Sequence, residues 1–172
     1  MKLLLTGLPK AGKTTLIREI IAKFPKAFWV VCGEILDDQG ERIGFKAETS
    51  TGLQGVIAHK TDIDSNVMMG SYRVDIAEVD RLLSDPIKEA CLSDQLMIVD
   101  EIGRMQILSS KFAEAARAML LSNNPVLATI RYGDEWTEEY TGLEGVETVT
   151  MTEENRAEMR EKLLAELAGV PS

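Results

Sequence analysis

The sequence predicts an α/β fold, with a mainly parallel sheet between two layers of helices and a small antiparallel hairpin inserted early in the chain. Short apolar runs, such as residues 96–99, alternate with stretches in which apolar residues recur at helical spacing. This alternation is typical of three-layer αβα domains, in which helices cover both faces of the sheet. We expect one domain, 1–172, with the hairpin insertion at about 35–60.

Composition and charge narrow the classes of protein to which the chain can belong. The net charge is −9 at pH 7, so a broad basic surface for nucleic acid is not expected. No apolar run is long enough to span a membrane, and the first residues do not resemble a signal peptide. Cys32 and Cys91 lack metal-ligand spacing, which favours reduced thiols. We therefore expect a cytoplasmic protein without membrane or nucleic-acid partners, either a monomer or a self-associating chain.

The first predicted strand and helix flank a glycine-rich loop. The apolar run 3–5 predicts a buried strand, and residues 16–21 carry apolar side chains at helical spacing. The loop between them has the sequence Gly7-Leu8-Pro9-Lys10-Ala11-Gly12-Lys13-Thr14-Thr15. It fits the phosphate-binding pattern G-x-x-x-x-G-K-[ST] in the context that this pattern requires. Backbone N–H groups of such a loop bind polyphosphate, Lys13 can reach the β- and γ-phosphates, and the Thr14 hydroxyl can bind Mg²⁺.

The segment after the first helix contains the predicted hairpin. Residues 27–35 form a strand candidate, and residues 37–40 form a turn. Residues 42–47 and 54–58 then predict two short strands, which we interpret as an antiparallel appendage. Residues 67–74 could form a further strand or a loop.

The second half of the chain returns to alternating helices and strands. A helical pattern begins at Asp75 and is expected to kink or split at Pro86, which has no backbone N–H. Ser109 or Ser110 can cap the next helix, and Thr152 is expected to start the last one. Three strands are predicted among these helices, at 96–99, 126–130 and 146–149.

A pair of acidic residues directly follows the buried strand 96–99. An acidic side chain at the carboxyl end of such a strand faces the crevice in which open α/β sheets bind ligands, so Asp100 can support Mg²⁺. Glu101 can orient and deprotonate a water that attacks the γ-phosphate. Alone, an apolar strand that ends in Asp-Glu is a weak signal, but it becomes strong beside a phosphate-binding loop.

Further polar residues follow the neighbouring strands. Thr129 ends the strand 126–130 and can reach the γ-phosphate or the attacking water, although a role in satisfying backbone groups explains it equally well. The transferred phosphoryl group also needs positive charge. Arg104 closely follows the acidic pair and is included among the predicted catalytic residues. Arg131 has a similar position after its strand, and Arg73 is a weaker candidate. For Arg104 and Arg131, a solvated surface position explains the residue equally well.

Taken together, these motifs resemble the thermophile and cancer-related nucleoside-triphosphatases, a family of small P-loop enzymes. The most specific match is 100–105 followed by Leu108, Ser109 and Phe112, which is similar to the family pattern D-E-I-G-[KR]-M-E-L-x-S-x-x-F. Further segments resemble family motifs in the same order along the chain, at 42–45, 70–75, 128–130 and 152–156. The resemblance therefore covers nearly the whole chain.

The resemblance implies a P-loop NTPase fold with a RecA-like core. In that core a further strand lies between the phosphate-loop strand and the strand that ends at Asp100. It also implies slow hydrolysis of several nucleoside triphosphates. Lys13 and Thr14 would then bind phosphate and metal, Asp100 would support Mg²⁺, and the catalytic base would be Glu101.

Other positions are less specific or depart from the family pattern. Asn155 and Arg156 follow the last predicted strand, where P-loop proteins often contact the base or ribose. Lys10 stands where the family usually has Gly, Gln106 where it has Glu, and Arg131 where Pro is common. These departures leave the core chemistry intact and leave the substrate preference open.

Three functions from different classes are consistent with these residues. The first is a Mg²⁺-dependent nucleoside triphosphate hydrolase of broad specificity, with ATP or another NTP as substrate. The second is a P-loop kinase that transfers the γ-phosphate to a small-molecule acceptor bound near the hairpin or the 131–145 loop. The third is a nucleotide-dependent switch or binding module. Residues 100–103 contain D-x-x-G as GTPases do, but no N-K-x-D guanine signature accompanies it, so we rank this function last.

Overall fold

The computed structural model describes residues 1–170, in which nine strands form one mixed sheet with helices on both faces. The strands are β1 (Lys2–Thr6), β2 (Phe28–Leu36), β3 (Arg42–Thr49), β4 (Gln54–His59), β5 (Met68–Met69), β6 (Tyr72–Val74), β7 (Met97–Ile102), β8 (Val126–Ile130) and β9 (Glu147–Thr150). The helices are α1 (Lys13–Lys23), α2 (Ile76–Val79), α3 (Asp85–Ala90), α4 (Ser110–Leu121), α5 (Glu138–Thr141) and α6 (Arg156–Leu167).

The strand order across the sheet is β5-β6-β4-β3-β2-β7-β8-β1-β9. The neighbours from β2 to β9 in this order run parallel, and the neighbours from β5 to β2 run antiparallel. The predicted α/β fold with a mainly parallel core is confirmed. The strand β8 lies between β1 and β7, as the resemblance implied.

The predicted hairpin exists, but it is not an appendage to the sheet. The strand β3 pairs with β2 along almost its whole length, from Val30 opposite Thr49 to Leu36 opposite Arg42. The strands β4, β6 and β5 then extend the same sheet. The antiparallel strands predicted at 42–47 and 54–58 are confirmed, and they continue the sheet because β3 pairs directly with the backbone groups at the edge of β2.

Two apolar cores lie on the two faces of the sheet, and β1 contributes to both. Leu3 and Leu5 pack with α1 and α6, whereas Leu4 packs with α3 and α4. Successive side chains of a strand point to opposite faces, so a continuous apolar run marks a strand that is covered on both sides. All three leucines are fully buried, and each such side chain contributes about 1.5–3 kcal/mol to folding.

Local signals set the helix boundaries that bear on the site. The Ser109 hydroxyl accepts a hydrogen bond from the Phe112 N–H and caps α4, as predicted. The pattern that begins at Asp75 is split as expected: a wider π-helical turn, Asp80–Ser84, joins α2 to α3, which has Pro86 in its first turn.

The start of the last helix differs from the prediction. The Thr152 N–H donates to Asn155 Oδ1 at 2.8 Å, and the Asn155 N–H donates to Thr152 Oγ1 at 3.2 Å. This reciprocal pair closes a turn, and α6 begins only at Arg156. Elsewhere, residues 67–74 contain the two short strands β5 and β6. No helix within residues 1–170 has the length and apolar character needed to cross a membrane.

Candidate functional site

Two glycines allow the loop between β1 and α1 to adopt its shape. Gly7 has φ +141°, and a Cβ on it would lie 2.3 Å from the Met151 carbonyl oxygen. Gly12 has φ +94°, and a Cβ there would lie 2.8 Å from Arg156 Nε. At both positions any other residue would strain the backbone, and at Gly7 it would also collide with the Met151 backbone, whereas at Gly12 the Arg156 side chain would have to move. Lys10 also has a positive φ, +69°, which explains why a glycine suits this position of the loop.

The Lys13 ammonium lies across the mouth of this loop. Its Nζ donates to the Gly7 carbonyl oxygen at 2.7 Å and to the Leu8 carbonyl oxygen at 3.0 Å. Burial lowers the pKa of Lys13, and the negative charges of Glu101 and Asp100 act in the opposite direction. The loop, its lysine and the acidic pair therefore belong to one electrostatic site.

Asp100 is held by the neighbouring parallel strand. Its side chain is buried, and its Oδ1 accepts a hydrogen bond from the Thr129 hydroxyl on β8. Its Oδ2 is also buried and has no hydrogen-bond partner among residues 1–170. Thr129 is itself fully buried, and its hydroxyl is directed to Asp100. The structure thus adds a contact with Asp100, and the predicted contact of Thr129 with the substrate stays a prediction.

The oxygen atoms around Asp100 fit Mg²⁺. This cation prefers hard oxygen ligands and usually takes one or two from the protein and the rest from water and phosphate. Asp100 Oδ2 offers an unpartnered carboxylate oxygen, and the exposed Thr14 hydroxyl lines the same crevice. In the described part of the chain no group of three or more His, Cys, Asp or Glu side chains could hold a metal by itself. The residues present therefore suit a metal that arrives with a phosphate ligand.

Glu101 points into the crevice beside Asp100. Burial raises the pKa of its carboxyl group, and the adjacent Asp100 raises it further. The positive charges of Lys13 and Arg131 lower the pKa in part. A carboxyl group with a raised pKa binds a proton more readily than an ordinary glutamate, which suits a general base.

The crevice has a volume of about 680 Å³ and extends well beyond the loop. It passes the acidic pair and reaches Arg42, Phe45 and Met69 at the start of the antiparallel strands. A smaller cavity of about 280 Å³ lies on the other side of the loop. Its lining, mostly apolar, consists of Leu8, Pro9, Ala11, Tyr132, Thr150, Met151, Thr152 and Glu153.

Most of the predicted site residues line one of these two spaces. The residues in the crevice are Gly7, Leu8, Pro9, Lys10, Lys13, Thr14, Asp100, Glu101 and Arg104. Ala11 lines the smaller cavity, together with Leu8 and Pro9. Those that line neither are Gly12, Thr15, Thr129, Asn155 and Arg156.

Asn155 and Arg156 contact the walls of the site. Asn155 Nδ2 donates to the Thr150 carbonyl oxygen at 2.9 Å, so the amide group holds the turn that lines the smaller cavity. Arg156 Nε donates to the Ala11 carbonyl oxygen at 3.1 Å and packs against Gly12. Both residues therefore support the loop and the cavity wall, and their contact with base or ribose stays a prediction.

Gln106 was not predicted to belong to the site. Gln106 is buried; its Nε2 donates to Cys32 Sγ at 3.4 Å, and its Oε1 has no hydrogen-bond partner among the described residues. A Cβ on Gly103 would lie 2.5 Å from Gln106 Oε1 and 2.8 Å from Glu101 Oε1, so the glycine lets both side chains approach the same point. The only signal for Gln106 was its place in the motif that starts at Asp100.

Comparisons with known proteins give the family of the chain. Residues 2–164 match a family model described as NTPase. The chain is 35% identical over 165 residues to the nucleoside-triphosphatase THEP1 of Thermotoga petrophila, a match that covers 95% of this chain and 91% of that protein. It is 33% identical over 175 residues to THEP1 of Methanocaldococcus jannaschii, which covers 99% of both chains.

Solved structures show the same fold. The crystal structure of THEP1 from Aquifex aeolicus aligns with a TM-score of 0.81 and 30% identity, over 97% of this chain and 99% of that one. The solution structure of a human cancer-related nucleoside triphosphatase aligns with a TM-score of 0.79 and 24% identity, over 99% of both chains, and shows the fold alone. These matches cover nearly the whole chain, and the loop, its lysine and the acidic pair lie in one crevice. The chain therefore belongs to the THEP1 family of nucleoside-triphosphatases.

Proposed function

We propose that the chain is a Mg²⁺-dependent hydrolase that converts several nucleoside triphosphates to the diphosphate and phosphate. One observation carries the proposal: Asp100, whose buried Oδ2 has no hydrogen-bond partner among residues 1–170, lines the same crevice as Lys13 and Glu101. An unpartnered buried carboxylate oxygen is costly unless a cation or donor satisfies it. A Mg²⁺-bound triphosphate supplies that cation.

The loop would bind the substrate through its backbone. The N–H groups around Gly12 and the first turn of α1 attract the β- and γ-phosphates, and Lys13 adds a full positive charge. Thr14 and Asp100 would hold Mg²⁺, which neutralises charge on the phosphate oxygens when bound. Arg104 lines the same crevice and is proposed to add positive charge at the γ-phosphate.

Glu101 would act as the general base. It accepts a proton from a water as the water oxygen forms a bond to the γ-phosphorus, and the bond from the γ-phosphorus to the bridging oxygen breaks. Gln106 Oε1 lies near the same point as Glu101 Oε1, so both oxygens can accept hydrogen bonds from one water. Thr129 would keep the Asp100 carboxylate in place during this step.

The smaller cavity is proposed to receive the nucleoside base. Leu8, Pro9 and Met151 offer it apolar surface, and Tyr132 offers an aromatic face. Base discrimination needs side chains that hydrogen-bond to one particular base edge, and this mostly apolar lining supplies few. We therefore propose broad nucleotide specificity.

Steady-state release of phosphate from ATP, GTP, CTP and UTP tests the proposal. We expect turnover of all four with Mg²⁺, loss of turnover with EDTA, and loss in Lys13→Ala but not in Lys26→Ala, which removes an exposed lysine beyond α1. Equal rates with and without Mg²⁺ would contradict metal dependence. Turnover of a single nucleotide would contradict broad specificity, and tight binding without any turnover would contradict hydrolysis.

A second function, phosphoryl transfer to a small molecule, is favoured by the shape of the crevice. Its far part, between Glu34, Arg42 and Phe45, extends beyond the loop and leaves room for an acceptor. Incubation of candidate metabolites with Mg-ATP, followed by mass-spectrometric detection of phosphorylated products, would distinguish a kinase from a hydrolase. A phosphorylated product formed much faster than free phosphate would identify a kinase.

A further inference from the structure

Arg131 is a cation in the crevice to which the mechanism above gives no role. The strand β8 lies between β1 and β7, and Arg131 directly follows β8. It therefore leaves the sheet between the phosphate loop and the acidic pair, and its side chain lines the crevice together with Lys13 and Glu101. Its charge is close enough to Glu101 to oppose the rise in the pKa of that carboxyl group.

The side chain of Arg131 is oriented from the 131–145 loop. Arg131 Nε lies 2.9 Å from Asp134 Oδ2, and the same carboxylate oxygen accepts a hydrogen bond from Trp136 Nε1 at 3.0 Å. The Trp136 ring packs edge-on against the buried Tyr140, with 6.1 Å between ring centroids. Tyr140 thus packs against Trp136, whose indole N–H orients Asp134, and Asp134 in turn orients Arg131.

This arrangement leaves the two terminal nitrogens of Arg131 available. Within residues 1–170 these two nitrogens donate no hydrogen bond, and the contact of Asp134 with the guanidinium is made at Nε. The terminal pair is the part of a guanidinium that donates two parallel hydrogen bonds to a phosphate group. Arg104 lines the crevice too, but nothing in the described chain restrains its side chain, so it would lose more rotamer entropy on binding phosphate.

We propose that Arg131, positioned by Asp134 and Trp136, contacts the γ-phosphoryl group and stabilises the negative charge of the transition state. Arg131 is then a catalytic residue supplied by the chain itself, and Asp134 is a positioning residue. The inference rests on the proposed function, because the ligand is the terminal phosphate of a nucleoside triphosphate. An arginine in this role in other nucleotide hydrolases accelerates turnover by about 10³–10⁵-fold.

The first experiment measures kcat and KM for Mg-ATP in Arg131→Ala, Arg131→Lys and Arg117→Ala. We expect Arg131→Ala to lower kcat by about 10²-fold or more with KM changed less than about threefold, because the contact forms mainly in the transition state. Arg131→Lys should recover only part of this loss, since lysine lacks the paired donors. Arg117 is the matched control: it is exposed and donates to the Glu139 carbonyl oxygen of the same loop, outside the crevice, so kcat should stay within about twofold.

Chemical rescue separates contact from positioning. Added guanidinium should restore part of the kcat of Arg131→Ala, because it can occupy the place of the lost group. Asp134→Asn keeps an acceptor for Trp136 but removes the charge opposite Arg131, and we expect kcat to fall about tenfold without rescue by guanidinium. Equal losses in Arg131→Ala and Arg117→Ala would overturn the proposal, since a merely structural role of the loop would produce that result.

A second readout does not depend on turnover. Binding of ADP with Mg²⁺ and aluminium fluoride, which mimics the transferred phosphoryl group, should weaken at least about tenfold in Arg131→Ala, whereas the Kd of ADP stays unchanged. If the wild type binds the analogue but releases no phosphate, the hydrolase proposal fails while this difference still supports Arg131. Wild-type affinity in Arg131→Ala overturns the role of Arg131, and a wild type that does not bind the analogue overturns both proposals.

Discussion

The sheet has two halves that differ in burial and in what they carry. In the parallel half (β2, β7, β8, β1 and β9), the central strands β8 and β7 are almost continuously buried. In the antiparallel half (β3, β4, β6 and β5), β3 alternates between buried and exposed side chains. Parallel strands send all their carboxyl ends to one edge, so Gly7, Asp100, Glu101 and Arg131 converge there. Antiparallel strands send their ends to both edges, and from this half Arg42, Phe45 and Met69 line the far part of the crevice.

The two halves also differ in how their polar groups are satisfied. Among residues 1–170, the buried side-chain atoms without a hydrogen-bond partner are Thr6 Oγ1 on β1, Asp100 Oδ2 on β7 and Gln106 Oε1 in the helical turn that follows β7. In the antiparallel half, His59 Nδ1 accepts from the Asp62 N–H at 3.0 Å and caps its own loop. Within residues 1–170, the unpartnered buried polar atoms therefore belong to the parallel half, where we propose that the ligand binds.

The largest expected effect is on Glu101 in the parallel half. We expect Glu101→Gln to lower kcat by about 10²–10⁴-fold, because the amide cannot accept the proton of the attacking water. Binding of a labelled nucleotide should persist, since the loop is untouched. The matched change in the antiparallel half, Glu48→Gln, affects only an exposed ion pair with Arg18 and should leave kcat unchanged. A similar kcat in both variants would show that Glu101 is not the base.

A core substitution in the antiparallel half should lower the free energy of unfolding and leave kcat unchanged. Ile57 on β4 is fully buried, so Ile57→Ala should lower the free energy of unfolding by about 2–5 kcal/mol, measured with urea. The kcat of the folded fraction should not change, because Ile57 lies outside the crevice. Val56→Ala, at the exposed neighbour, should cost far less. A loss of kcat in folded Ile57→Ala would show that the core of the antiparallel half also contributes to turnover.

Removing one hydroxyl from each half compares the halves directly. Thr129→Val deletes the donor to the buried Asp100 and should cost about 1–3 kcal/mol in unfolding free energy, together with a higher Mg²⁺ concentration for half-maximal activity. Tyr72→Phe deletes the hydroxyl that accepts from Arg42 Nε at 3.0 Å and should cost about 0.5–1.5 kcal/mol with no change in Mg²⁺ dependence. The same Mg²⁺ dependence in both variants would contradict the role of Thr129 in orienting Asp100.

The smallest effect is expected at Cys32 on β2, where the two halves meet. Burial raises the pKa of the Cys32 thiol to about 12, and only the thiolate reacts with iodoacetamide. In a Cys91→Ala background we therefore expect slow alkylation of the folded chain, with a rate that still rises through pH 9. The unfolded chain, with an ordinary thiol pKa of about 8.5, should level off near that pH. A plateau near pH 8.5 in the folded chain would show that Cys32 is not shielded.

The sequence predicted those features that depend on neighbours along the chain. The pattern around Gly7 and Gly12 predicted the phosphate loop, and the run that ends at Asp100 and Glu101 predicted the acidic pair. Both predictions rest on local patterns, because a strand, a tight loop and a helix start impose their residue requirements within a few positions. The start of the last helix was placed too early, because Thr152 is a good capping residue by itself and its hydrogen bonds with Asn155 were not foreseen.

The sequence by itself determined the alternation of strands and helices, the loop and the residues available for chemistry. Only the tertiary structure decided which of those residues meet. Thr129 contacts Asp100 across 29 positions, and Arg156 contacts Ala11 across 145. Such contacts depend on the order of strands in the sheet and on which helix covers which face. That order follows from the packing of the whole chain, because backbone pairing and apolar burial are satisfied by all strands together.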